Sequence, residues 1–113
     1  MFSERTQLRL RDIAENITAI QEYAGGMTLS QFESDRRTSD AIERCLQRIT
    51  EAVIQIGAED MARIAPGVPF EKVRGLGNML RHEYHRIDPK QVFVTVHDEL
   101  PALQAAITQA LQD

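Results

Sequence analysis

Apolar residues return every three or four positions along most of this chain, with polar residues filling the intervals. That spacing matches one face of an α-helix, where side chains three and four apart share a side. Leu10, Ile13, Ile17, Ile20 and Ala24 form one stripe and predict a first helix over 6–24, ended by Gly25-Gly26. Leu29 and Phe32 predict a short helical piece at 29–36. A long second helix is expected over 38–63, from Ala41, Ile42, Cys45, Leu46, Ile49, Val53, Ile54 and Ile56 through to Ile64. Pro66-Gly67 then breaks the pattern.

Pro69 suits the first turn of a third helix, expected over 69–85. Asp88-Pro89-Lys90-Gln91 reads as the start of a fourth: Asp88 caps, Pro89 takes the first helical position, and Gln91 completes a capping-box pattern. This helix is expected to bury Val92, Phe93, Val96, Leu100, Leu103, Ile107 and Leu111. Pro101 lies inside it, lacks a backbone donor, and should kink or split it. The β-branched run from Gln91 to Val96 leans toward strand by propensity, but the capping signal ahead of it outweighs that preference. No strand pattern, internal repeat, low-complexity segment or linker stands out. The expected fold class is all-α: an antiparallel up-and-down four-helix bundle with a short extra helix.

At 113 residues the chain is expected to be a single domain, 1–113, small enough that a second subunit would help bury its apolar surface. No apolar run approaches the roughly 20 residues a membrane-spanning helix needs, so no membrane partner is expected. Met1-Phe2-Ser3-Glu4-Arg5 opens directly into a polar helical pattern without a signal peptide's apolar core. A cytoplasmic protein is the expectation. Cys45 stands alone among Ile42, Leu46 and Ile49, which favours a buried, inert thiol.

The net charge of −4 argues against non-specific coating of nucleic acid. Charge is unevenly spread, however. Residues 71–90 carry five Lys and Arg against three Asp and Glu, about +2, on a remainder of about −6. That fits a local phosphate site formed by Arg74, Arg81 and Arg86, or an ordinary solvated helix face.

The same segment holds the chain's densest chemistry. Asn78 and His82 are four apart and share a helix face. His82 has the ordinary pKa of a general base or acid near neutrality. Arg offers a planar fork matched to phosphate oxygens. Asn78 can orient His82 or donate to a phosphate, and Tyr84 can stack on a base. Each also has a plainer reading: a surface or interface His82, a Tyr84 packed between helices, an Asn78 that cross-links them. Gly75 and Gly77 weaken a helix but permit close backbone approach. Glu51 is a candidate cleft residue from the second helix, or simply a solvated one. His82-x-x-His85 could be half of a metal site, but no spacing fixes a third ligand, and no metal is expected. No cofactor motif is present.

In order and spacing, several of these pieces resemble a HepT-like HEPN domain over nearly the whole chain. They are Arg9-Leu10-Arg11-Asp12-Ile13, Phe32-x-x-Asp35, Ala41-Ile42-Glu43-Arg44-x-Leu46 followed by Glu51-Ala52, and Asn78-x-x-x-His82-x-Tyr84-x-x-Ile87-Asp88. The resemblance implies a HEPN-like bundle that forms a homodimer, with the third-helix motifs of two subunits sharing one cleft. It implies a metal-independent ribonuclease toxin whose substrate is RNA, neutralised by a partner resembling a minimal nucleotidyltransferase. In some such systems the partner is thought to adenylylate the motif tyrosine. Carried over by position, His82, Tyr84 and Asn78 match the family histidine, tyrosine and asparagine.

The family arginine does not carry over. It commonly precedes the asparagine, where this chain has Gly77, and Arg74 is separated from His82 by seven residues. Arg81 lies four residues after Gly77 on nearly the same face, and helical side chains lean toward the N-terminus. Its guanidinium is therefore expected to reach back over the space at Gly77, unless it points outward and pairs with an acid such as Glu83. The resulting expectation is an RNA endonuclease with His82, Arg81, Asn78 and Tyr84 at its site. The alternative is a catalytically silent HEPN module that binds a nucleotidyltransferase, nucleotide or RNA. A third possibility is an unrelated helical interaction protein with residues 74–88 as its interface.

Overall fold

The computed structural model describes residues 2–113, with Tyr84 described through its backbone only. Among these residues the structure is all helix and turn. Helix α1 spans Glu4–Ala24, started by the Ser3 hydroxyl accepting from the Thr6 N–H. Gly25 stops it with its N–H on Gln21 O, and Gly26 follows at φ +80°. Helix α2, Leu29–Ser34, opens with a complete capping box between Thr28 and Gln31. Asp35 caps the next helix through the Thr38 N–H and hydroxyl, and those two bonds hold its carboxyl below the usual range.

The long second helix expected over 38–63 is two helices. Helix α3 spans Arg36–Ile56 and α4 spans Ala58–Ile64. Gly57 between them takes φ +94° and ψ 159°, a conformation that side chains other than glycine's rarely adopt. The apolar spacing runs through this break because both flanks keep the same buried side.

Helix α5 spans Phe70–His82, with Pro69 at its cap, and is followed by a 3₁₀ turn over Tyr84–Arg86. The expected helix 69–85 therefore ends three residues early. Pro89 holds Asp88 in extended backbone, so no helix could continue through this segment into the next. Helix α6, Pro89–Val94, starts as expected from Asp88, although the carboxylate accepts from the Lys90 N–H and not from Gln91.

Pro101 acts one turn earlier than its own position. Residues Thr95–Glu99 widen into a π turn before α7, Leu100–Gln112. A π turn relaxes the ladder just where the Pro101 ring would crowd a carbonyl and where its missing N–H removes a donor.

Helices α1 and α3 form the central antiparallel pair, with α5 packed on α3 and α7 on α1. Hydrogen bonds fix the directions. Arg9 near the start of α1 donates to Gln55 near the end of α3, and Gln21 near the end of α1 pairs with Gln104 near the start of α7. The core holds the predicted stripes: Leu10, Ile13, Ile17 and Ile20 of α1 against Ile42, Leu46, Ile49 and Val53 of α3, with Phe32, Leu103 and Ile107. Each such side chain contributes roughly 1.5–3 kcal/mol by leaving water. Leu111, expected in the buried stripe, is exposed in the last turn of α7. Cys45 is buried and free, and burial pushes its thiol pKa up, away from reactive thiolate. No described helix is long and apolar enough to cross a membrane.

Candidate functional site: the α3–α5 contact and its flanking groove

The site is built where α5 presses on α3. Thr50 of α3 is 2% exposed and donates its hydroxyl to Gln47 O at 2.9 Å. Gly77 of α5 faces it so closely that a Cβ there would lie 2.8 Å from Thr50 Oγ1 and 3.0 Å from Thr50 Cβ. Glycine is the residue that lets the two backbones meet at this point.

One turn later Arg81 folds back over the same spot. Its Nη1 would lie 3.5 Å from that Gly77 Cβ. The guanidinium is forked: Nη1 donates to Glu51 Oε2 at 3.0 Å and Nη2 donates to Asn78 Oδ1 at 2.8 Å. Its ion partner is thus Glu51 on α3, whereas Glu83 pairs with Arg86 at 3.5 Å. The Arg81 side chain is 27% exposed and that of Glu51 49%. Two of the five guanidinium N–H groups are used, leaving three for a ligand oxygen.

The structure brings Glu51, Asn78 and Arg81 together. It leaves His82 exposed in the last turn of α5, with no hydrogen bond or ion pair among the described residues. Tyr84 begins the 3₁₀ turn, so it lies past the helix that presents Asn78 and His82. The readings of Tyr84 as a stacking side chain and as a modified one fall outside the described side chains. Arg74 is bound to Glu71 of its own helix at 3.1 and 3.3 Å. Arg74 and Arg86, candidate phosphate ligands from sequence charge, are each paired with a glutamate three residues before them. No three His, Cys, Asp or Glu side chains cluster as a metal site among the described residues.

A groove of about 500 Å³ lies between α1 and α3 and reaches Arg81. Arg9, Asp12 and Asn16 line it from α1, and Arg44, Arg48 and Glu51 from α3. Arg9 donates to Gln55 through Nη1, and its Nε lies 2.9 Å from Asp12. The Nε–H is not aimed at the carboxylate, so this is a charge contact without a hydrogen bond. A second groove of about 460 Å³ on the other flank shares Arg44, Gln47 and Arg81 with the first. Arg9, Arg44 and Arg48 lie outside the basic segment 71–90 that the charge along the sequence singles out. Their signal was an i, i+4 pair of arginines on the polar face of α3, opposite Cys45 and Ile49.

Comparison with known proteins agrees with this architecture. A sequence profile of the family described as "Ribonuclease HepT-like" matches residues 13–110. A protein of Thermococcus cleftensis named "Probable ribonuclease HepT" is 32% identical over 95 residues, covering 84% of this chain and 86% of its own length. A protein of Methanocaldococcus jannaschii, likewise named an RNase by inference, is 29% identical over 104 residues, covering 92% of this chain and 85% of its own. A third, from Caldanaerobacter subterraneus and named in the same way, is 26% identical over 103 residues, 91% of each chain. No solved structure matches. The chain belongs to the ribonuclease HepT-like family, and its all-helical fold is that of a HEPN domain.

Proposed function

We propose that this chain is a metal-independent RNA endonuclease, the toxin of a pair whose antitoxin is a minimal nucleotidyltransferase, and that it works in the cytoplasm as a homodimer. The observation that carries the reading is Arg81. Its guanidinium occupies the space a side chain at Gly77 would point into, held there by Glu51 and Asn78 and adjacent in sequence to His82. A forked cation and an imidazole within one cleft are what phosphodiester transfer needs.

RNA supplies its own nucleophile. In the proposed reaction His82 of one subunit takes the proton from a ribose 2′-hydroxyl, and the 2′-oxygen attacks phosphorus. The bond to the 5′-oxygen breaks, and that oxygen leaves with a proton from the second His82. The products are a 2′,3′-cyclic phosphate and a free 5′-hydroxyl. Arg81 balances the charge that builds on the non-bridging oxygens. The exposure of His82 at the end of α5 suits a group completed by a second copy. Tyr84 is the proposed base-stacking residue and the proposed target of adenylylation by the antitoxin.

Labelled RNA incubated in EDTA tests this. Wild type should cleave it, and His82→Ala and Arg81→Ala should each lose activity by at least about a hundredfold, the scale of one acid–base or charge-stabilising group. The dimer should persist in both variants. A dimeric wild type that binds RNA without cleaving it would favour the second reading, a silent RNA- or nucleotidyltransferase-binding module. Gly77 in place of the family arginine is the observation behind that second reading.

A further inference from the structure

The grooves beside Arg81 hold more positive charge than that site uses. We infer that Arg44 and Arg48 form a phosphate track on α3, which grips the backbone of single-stranded RNA next to the scissile position. This rests on the ribonuclease reading for the identity of the polyanion, but the track is tested by binding alone.

In the 500 Å³ groove, the carboxylates of Asp12 and Glu51 are each engaged by a guanidinium, of Arg9 and of Arg81. Among the described residues Arg44 donates only to the neutral Gln47 amide, at 3.0 Å. Arg48 has no ion pair among the described residues. Both are exposed. The groove therefore keeps about two uncompensated positive charges on a chain whose net charge is −4. Arg74 and Arg86 on the other flank of the motif have no such surplus, since each meets its own glutamate.

Spacing supports a strand as the ligand. Residues four apart on a helix rise about 6 Å, the same scale as successive phosphates along an extended strand. Arg44 and Arg81 line both grooves, but the second also carries Asp40 and Glu43, so the positive row lies along the first groove and ends at Arg81. A small anion would need one of these arginines; a row ending at the candidate reaction centre fits a polymer. The contacts are to backbone phosphate, so the track carries affinity and register without base preference.

The experiment is fluorescence anisotropy of a labelled 2′-O-methyl RNA 12-mer, which cannot be cleaved, across a series of KCl concentrations. Wild type is compared with Arg44→Ala/Arg48→Ala and with Arg44→Lys/Arg48→Lys. Two lost phosphate contacts to a single strand should lower the slope of log affinity against log salt by about 1.4. Affinity of the alanine pair at low salt should fall by tenfold or more, while the lysine pair keeps most of the slope. Circular dichroism confirms the fold of each variant. A slope unchanged in the alanine pair overturns the track, even if wild type cleaves ordinary RNA. A lowered slope in a protein that cleaves nothing leaves the track standing and removes the ribonuclease reading. Absence of RNA binding by wild type overturns the track outright.

Discussion

Gly75 and Gly77 are two residues apart on one helix, yet the same substitution should move stability in opposite directions. Alanine in a helix interior is better than glycine by about 0.5–1 kcal/mol, because glycine loses more backbone freedom on folding. At Gly75 a new Cβ meets nothing within 4 Å, so Gly75→Ala should realise that gain. At Gly77 the Cβ arrives 2.8 Å from Thr50 Oγ1 and 3.0 Å from Thr50 Cβ. Rotating Thr50 would move its oxygen but break its bond to Gln47 O, and rotation cannot move the Cβ at all. The helices would have to separate by some tenths of an ångström, spreading the strain into the packing of α5 on α3. Overpacking of this kind costs about 1–3 kcal/mol. Net, Gly77→Ala should destabilise by about 1 kcal/mol.

Thermal unfolding followed by far-ultraviolet circular dichroism reads both changes. For a domain of this size 1 kcal/mol corresponds to roughly 4 °C in Tm. Gly75→Ala should rise by about 3 °C and Gly77→Ala fall by about 4 °C. All samples are held at one protein concentration, since a dimer's Tm depends on it. If both variants rise together, Thr50 does not close the space at position 77, and the steric argument for Gly77 is wrong.

Two more predictions follow from groups near the site. Burial, and then the charge of Asp40, raise the Glu43 carboxyl above its ordinary value, partly offset by the Ser39 hydroxyl. The folded state therefore favours the protonated form, and wild-type stability falls as pH rises from the ordinary carboxyl value through the raised one. Glu43→Gln should thus raise Tm at pH 7 relative to wild type, with the difference fading toward pH 4; a difference that grows on acidification would contradict the shift. Glu51→Gln keeps an acceptor for Arg81 while removing a negative charge from the groove. RNA affinity at fixed salt should rise while Tm moves little, because a half-exposed ion pair is worth no more than about 1 kcal/mol; weaker binding would mean that Glu51 holds Arg81 for RNA by its charge.

The helices were legible where burial repeats: Leu10, Ile13, Ile17 and Ile20 all reach the core, and Asp88-Pro89 starts α6 where the capping pattern put it. The break at Gly57 was not legible, because a glycine at φ +94° and a glycine inside a helix look alike when Val53 and Ile56 before it and Met61 after it all face the same core. Summed charge over 71–90 pointed to Arg74 and Arg86, each of which pairs with a glutamate three residues before it. Those pairs were visible in the sequence, since Glu71-x-x-Arg74 and Glu83-x-x-Arg86 stand at helical spacing. The Arg81–Glu51 pair spans 30 residues, and only the packing of α5 on α3 brings its two halves together.

That packing also explains why the glycine and the arginine belong together. Thr50 stands close against α5, and no side chain fits at position 77 without a shift. A cation wanted in that space must then come from elsewhere on α5. Residue 81 is one turn on, and its side chain leans back toward the N-terminus. A residue one turn earlier would lean away. The long, forked Arg81 spans the gap and finds Glu51 and Asn78 waiting at 3.0 and 2.8 Å. On the proposed reading, the departure from the family motif is a change in which turn of α5 supplies the guanidinium. A shorter or unforked residue at 81 could not do the same: lysine would reach but hold only as a point charge. Arg81→Lys should accordingly keep the fold and most RNA affinity while losing cleavage, and full activity in that variant would refute a positional role for the fork.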